Sequence, residues 1–341
     1  VEAKLNKRAI VIDPFMEKAT GQQTALTQAA EQRIVDGIRA NYQQFDVLPF
    51  QASNLGNSQY VLTGTLDSND QLRSQKQLRI NLALTDLKGG TVVAQTSVLA
   101  RDDGLDRNPT AYYRDSPVLL KDKVTDGYAR TTELTPGSPA DRVYLERIGT
   151  ATLVNQATIA YNNERIPEAL GLYKNALNSP GGEQLRVLNG LYLTNWKLGR
   201  VGEAEQSFSR VVASGLSNNS LGVKFLFSPG STEFWPDPKV SGPYALWLRQ
   251  IARQAATTKV CMDIVGHTSR TGSEQFNDRL SQQRAAVIKQ KLESEVAELR
   301  TRTKALGKGF RENIVGTGSD DAGDALDRRV EFKIVDCDKT A

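Results

Sequence analysis

The last third of the chain carries a short apolar run that stops at a glycine and passes through a polar loop into a long amphipathic stretch. VCMDIVGHT over 260–268 reads as a strand, and LSQQRAAVIKQKLESEVAEL over 280–299 reads as a helix. Leu280, Arg284, Val287, Ile288 and Leu292 fall at helical spacing, which sets Arg284 beside the apolar stripe near the helix start. GVKFLFSPGSTEF before this block reads as a strand, and PYALWLRQIARQAAT as a helix with Leu246, Ile251 and Ala255 on one face. After it, NIVGTGSDD and DRRVEFKIVDC predict a strand, a glycine-rich loop and a terminal strand. The order strand, helix, strand, helix, strand, strand predicts a two-layer α/β sandwich over 220–341.

With 341 residues the chain is about twice the usual domain length of roughly 150, so further domains precede this one. Residues 1–100 alternate strand and helix signals. RAIVIDPF is a strand ended by Pro14, and Leu26, Ala30, Ile34, Ile38 and Tyr42 follow at steps of four along one helical face. FDVLPF and SQYVLTGTLDS are further strands. In the hairpin that closes the region, Leu78, Ile80, Leu82 and Leu84 alternate with polar partners before a Lys-Gly-Gly turn. The expectation is an α+β domain with a largely antiparallel sheet. Residues 101–146 hold four prolines and no sustained periodicity, and are expected to be loop and linker.

Residues 147–216 contain a repeat. Ala157, Glu164, Ile166, Ala169, Tyr173 and Ala176 match Tyr192, Gly199, Val201, Ala204, Phe208 and Val211 at a constant offset of 35 residues. RIPEALGLYKNAL and GRVGEAEQSFSRVV resemble second helices of tetratricopeptide repeats, whose period is about 34 residues. Two repeats are fewer than the three or so that stand alone, so they either pack on a neighbouring domain as a spacer or form a small docking surface. The predicted fold class is therefore α+β multidomain: an N-terminal α+β domain, a short α-helical segment and a C-terminal α/β sandwich.

Composition removes several function classes. Hydrophobic content of 39% and charged content of 24% lie in the ordinary globular range. A formal charge of +4, dispersed over the chain, argues against nucleic acid. No apolar run approaches the roughly 18 residues of a membrane span, and VEAKLNKRAIVI is too short and interrupted for a signal peptide, so the chain is cytosolic or has lost a leader. Cys261 and Cys337 flank predicted strands, and either a disulfide or two buried thiols fits. With one histidine and no CxxC, no zinc site, other metal site or cofactor is expected. No serine or cysteine stands in a nucleophile elbow, so no catalytic residue is assigned, and His267 is expected to be structural.

The succession VKFLF, IVGHT, TGSEQFNDRLSQQRAAVI, GTGSDD and DRRVEF resembles the OmpA carboxy-terminal domain, the peptidoglycan-binding module of OmpA, Pal and MotB. More weakly, the element order of 8–100, with LTGTLDSN and TDLKGGTVV, resembles the periplasmic domain of the CsgG, TolB amino-terminal and LpoB families. The first resemblance implies a ligand role for Arg284, whose guanidinium would pair with a carboxylate of the diaminopimelate-type stem peptide. It implies that Asn277, Thr268, Leu280 and Arg328 shape or border the same pocket. Ser269 stands where the family's GHTD motif has its aspartate, and Ser228 where a second acidic residue follows the first strand; both losses predict weakened or altered recognition. Asp320, Asp321 or Asp324 could restore the charge. Asp327 replaces the asparagine that commonly precedes the Arg328–Arg329 pair.

The function implied is that of a non-enzymatic periplasmic protein of a Gram-negative envelope, associated with the outer membrane through a removed leader or lipid anchor. It would hold peptidoglycan through 220–341 and contact other envelope proteins through its N-terminal and helical parts. The alternative is an assembly subunit of an envelope or secretion complex whose degenerate pocket binds protein.

Overall fold

The computed structural model describes residues 7–68, 72, 74, 75, 77–102, 106–316, 318 and 323–339, with 323 and 324 through their backbone alone. The chain divides into two compact units, Val1–Arg114 with Leu120–Gly190, and Asp115–Leu119 with Leu191–Ala341. These are not the boundaries expected from the sequence, because the division falls inside the helical repeat.

In the first unit, β1 (Arg8–Ile12), β2 (Met16–Glu17), α1 (Ala25–Asn41), β3 (Phe45–Leu48), α2 (Ala52–Leu55), β4 (Tyr60–Asp67), β5 (Gln77–Asp86) and β6 (Thr91–Arg101) follow in order. The sheet order is β3-β1-β4-β5-β6, with β2 also on β4. It is mixed: the long β4–β5 and β5–β6 ladders are antiparallel as expected, whereas β1 lies parallel to both β3 and β4. Helix α1 starts at a Thr24 capping box and packs Leu26, Ala30, Ile34 and Ile38 against Ile10, Ile12 and Leu62. Tyr42, the last member of that spacing, caps the helix and is 52% exposed.

The stretch expected to be a linker instead builds the opposite face of this unit. It forms α3 (Ala111–Asp115), α4 (Lys123–Thr131) and α5 (Arg142–Leu145), and buries Tyr112, Tyr113, Tyr128 and Tyr144. The tyrosines come from short elements and pack in two pairs, Tyr112 with Tyr113 and Tyr128 with Tyr144, so no periodicity announces them. The Tyr128 hydroxyl accepts from Gly64 N at 2.8 Å and faces the carbonyls of Asp13, Pro14 and Gly64 at 3.0–3.1 Å. Asn81, on the polar side of the hairpin, and Thr65 of β4 are buried there; Ser97 donates to Asn81 and Thr65 pairs with Thr132.

Helices α6 (Ile148–Asn162), α7 (Ile166–Leu177), α8 (Leu185–Lys197) and α9 (Val201–Ser217) occupy the repeat region. In the first unit Ile148 and Ala151 of α6 pack with Val11, Phe50 and Val61.

The second unit contains α9, β7 (Leu221–Lys224), α10 (Pro238–Ser241), α11 (Tyr244–Thr257), β8 (Cys261–Gly266), α12 (Glu274–Glu295), β9 (Thr303–Gly307) and β10 (Arg329–Val335). Its sheet runs β7-β10-β8-β9, with β10 antiparallel to β7 and β8 and β9 parallel to β8. Residues 117–119 border β7, where Leu119 N donates to Gly222 O and Lys224 N to Pro117 O. Strand–helix order is as expected, with one correction. The third strand of this unit is TKALG, not NIVGTGSDD, because the amides of Ile314, Val315 and Gly316 are taken by the Asp327 carboxylate. Tyr192, Phe208, Phe225, Tyr244 and Trp247 form one aromatic cluster, with Trp247 Nε1 donating to the Tyr192 hydroxyl at 2.7 Å. Of the two cysteine alternatives the structure has the disulfide, Cys261–Cys337, which closes β10 onto β8.

Two outcomes follow. All three tryptophans, Trp196, Trp235 and Trp247, lie in the second unit, so their fluorescence reports its unfolding alone. Replacing Cys261 and Cys337 by serine should lower stability in that urea transition by about 2–4 kcal/mol, and an unchanged midpoint would contradict it. In the first unit, burial pushes the Asp13 carboxyl up to about 7 against the opposing effects of Arg186 and the Tyr144 hydroxyl, and burial does the same to Glu17 against Arg107 and Thr24. The folded unit thus keeps protons that the unfolded chain releases near pH 4, and its stability falls as pH rises from about 4 through about 7. Calorimetry should find Asp13→Asn more stable than wild type at pH 8, by on the order of 5 °C, with a smaller gain at pH 5 and little or none at pH 3.

Candidate functional site

The site is set by how closely α12 approaches the sheet. A Cβ on Gly266 would lie 2.2 Å from Ser281 O, and one on Gly307 2.5 Å from Gln282 N, so only glycine lets the helix backbone rest on these strand ends. The contact brings Ser281 Oγ to Gly309 N at 2.9 Å, and Thr268 N to Gly309 O at 2.9 Å. Ser273 caps α12 by accepting from Phe276 N, and Asn277 Nδ2 donates to the carbonyls of Thr271 and Ser273. Asn277 therefore fastens the loop after β8 to the first helical turn.

Arg284 lies about two turns beyond Asn277 along the buried side and is 6% exposed. Its Nε donates to Ser231 O at 3.0 Å, its Nη2 to Ser228 O at 3.2 Å, and its guanidinium carbon lies 4.8 Å from the centre of the Phe227 ring. The turn after β7 thus holds the guanidinium plane through neutral carbonyls and an aromatic face. Arg284 and Ser228 are brought into contact as expected, although through the serine's carbonyl. Thr268 and Ser269 are both buried where β8 ends, while Leu280 belongs to the apolar core. Thr268 Oγ1 is buried with no hydrogen-bond partner among the described residues.

Arg328 is half-buried beside Asp327. Asp327 is fully buried and accepts from three successive amides, Ile314 at 2.7 Å, Val315 at 3.0 Å and Gly316 at 2.6 Å. Arg329, 4% exposed, joins Glu331 Oε1, Leu326 O and Glu312 O. The acidic candidates Asp320 and Asp321, and the side chain of Asp324, lie outside the described residues.

His267 is buried at the end of β8, its amide donating to Arg329 O. Its Nε2 is 3.6 Å from Glu331 Oε2, beyond hydrogen-bond reach, and neither ring nitrogen has a hydrogen-bond partner among the described residues. Burial lowers the imidazole's pKa; Glu331 opposes this and Arg329 adds to it. Burial pushes Glu331 upward, but the facing His267, Arg329 and Lys333 outweigh it and hold the carboxyl well below its ordinary range. Glu312 completes a His267–Glu312–Glu331 group whose ligand atoms lie within 4.8 Å of one another. Sequence reasoning passed over Glu312 and Glu331. Their one signal was the period-2 placement of Glu331 in RRVEF beside the strand that bears the only histidine.

Neither a family model nor a curated protein matches this chain. Similar solved structures include the cell wall anchor of the type VI secretion system from Pseudomonas aeruginosa, with 23% identity and a TM-score of 0.27 over 33% of this chain and 78% of that one. The peptidoglycan-associated lipoprotein from Burkholderia pseudomallei has 23% identity and a TM-score of 0.27 over 33% and 89%. An OmpA-like domain from Francisella tularensis has 13% identity and a TM-score of 0.25 over 34% and 76%. Among the described residues no helix is long and apolar enough to cross a membrane.

Asp327→Ala should release the three amides at 314–316 and destabilise the second unit by about 3 kcal/mol, with Asp327→Asn intermediate. Hydrogen exchange at Ile314, Val315 and Gly316 checks this, and unchanged protection in Asp327→Ala would contradict it.

Proposed function

We propose that the second unit is the wall-binding module of a non-catalytic envelope protein, and that Arg284 reads a free carboxylate of the peptidoglycan stem peptide. The observation that carries this reading is the buried, oriented guanidinium. Two backbone carbonyls and the Phe227 ring hold its plane. A planar fork held in advance spends little conformational entropy when it pairs with a planar carboxylate. Asn277, Thr268 and Ser269 hold the loop that borders it, and Arg328 stands at the late loop. The disulfide fits the oxidising periplasm that this role requires. In the same reading a leader or lipid anchor ties the protein to the outer membrane. The first unit and the helical hairpins, tetratricopeptide-like in their 35-residue offset, contact other envelope proteins.

Ser228 and Ser269 favour a second reading, in which the module binds protein within an envelope or secretion assembly. A hydroxyl gives an ammonium a neutral hydrogen bond of about 1 kcal/mol, where a carboxylate gives about 1.5–3 kcal/mol. Diaminopimelate recognition is accordingly weaker here than a pocket with aspartates would give.

Cosedimentation of the full chain with isolated diaminopimelate-type peptidoglycan separates the two. Wall binding predicts that the wild type pellets, that Arg284→Ala loses most of the pelleted fraction, and that Ser269→Asp gains about tenfold in affinity. A wild type that stays in solution while Ser269→Asp pellets would leave protein binding as the module's task.

A further inference from the structure

We propose that His267, Glu312 and Glu331 form a separate site for a borderline divalent cation of the Zn2+ class. Three observations converge on it. The first is the buried imidazole, whose side chain is 0% exposed and whose two nitrogens have no hydrogen-bond partner among the described residues. A buried polar group left in that state is costly unless something else satisfies it.

The second is distance. His267 Nε2 and Glu331 Oε2 stand 3.6 Å apart, too far for a hydrogen bond. Two ligands of one tetrahedral zinc, each about 2.0–2.1 Å from the metal, stand about 3.4 Å apart, so the pair already has nearly the spacing of neighbours in a coordination shell. All three ligand atoms fall within 4.8 Å of one another, and Glu312, the most exposed of them, needs only a side-chain rotation to close.

The third is that a cation already occupies the space between the two carboxylates. Lys333 Nζ lies 3.0 Å from Glu331 Oε2 and 3.6 Å from Glu312 Oε2, and Lys308 Nζ lies 3.3 Å from Glu312 Oε1. The Lys333 and Lys308 side chains are 44% and 42% exposed, so both can swing into water when a doubly charged ion takes their place. Arg329 stays on Glu331 Oε1, which fixes that carboxylate and leaves Oε2 for the metal. Two carboxylates and one imidazole give a mixed oxygen and nitrogen set suited to zinc, with the remaining positions open to water beside Glu312. The ion would lock the end of β8 to β10 and to the 308–312 turn, at the base of the loop that Asn277 fastens.

The chain has one histidine, so its imidazole 15N signals form a single set. The test is to add Zn2+ to the full chain, purified without a histidine tag and freed of metal, and to follow those signals together with the binding isotherm. Saturable binding of one ion with displacement of one ring-nitrogen resonance is expected. Affinity should fall at least tenfold in Glu312→Gln, and should rise in Lys333→Met, which removes the competing ammonium. Ring resonances that stay put under excess Zn2+, or a Glu312→Gln isotherm equal to the wild type's, would overturn the proposal.

Discussion

The second unit depends on one contact, the backbone of α12 lying directly on the ends of β8 and β9. Helices normally pack on sheets through an intervening layer of side chains. Here Gly266 and Gly307 remove that layer where Ser281 and Gln282 arrive. The consequence is chemical as well as steric, because short polar side chains then reach backbone groups that a longer gap would leave to water. Ser281 bonds Gly309, Asn277 bonds Thr271 and Ser273, and the loop between β8 and α12 is held from both ends. The positions of Thr268, Ser269 and His267 all follow from this one approach.

The buried charges around it are handled in two different ways. Asp327 and Arg284 are satisfied by peptide dipoles: three amides converge on the carboxylate, and two carbonyls orient the guanidinium. Glu331 and Arg329 neutralise each other directly. Arg329, buried to a similar extent as Arg284, is a clamp on the turns at 312 and 326.

Where periodic apolar spacing governs, the sequence is readable: α1, the β5–β6 hairpin and β8 stand where their patterns put them, and α12 covers most of its expected run but begins earlier, at Glu274, and ends at Glu295. Failures occur where backbone satisfaction governs instead. NIV looks like a strand by composition, yet its amides bind a carboxylate 11–13 residues later, a partner that no local pattern announces. TKALG looks too polar for a strand, but as the edge strand paired with β8 alone it need not be apolar. Residues 111–145 lack a period because two pairs of buried tyrosines, Tyr112 with Tyr113 and Tyr128 with Tyr144, replace the repeated aliphatic face. The candidate site was half legible. Arg284 and Asn277 emerge from motif and helical phase, whereas Glu312 and the carbonyls of Ser228 and Ser231 meet their partners only through the fold.

Serine at 228 and 269 also bears on how the two functional readings relate. A zwitterionic ligand such as the diaminopimelate side chain is selected by two complementary charges, a cation for its carboxylate and an anion for its amine. Neither serine supplies that anion. Losing a charge-assisted bond to the amine costs about 1 kcal/mol relative to an aspartate, roughly fivefold to tenfold in affinity, while the guanidinium's hold on the carboxylate is unaffected. The result is a lower preference for zwitterions over plain carboxylates, and plain carboxylates occur on protein chain ends and acidic side chains as well as on the wall. In this reading the exchange that weakens wall specificity is the same one that lets a protein ligand compete for Arg284, so the two functions are neighbouring states of one pocket.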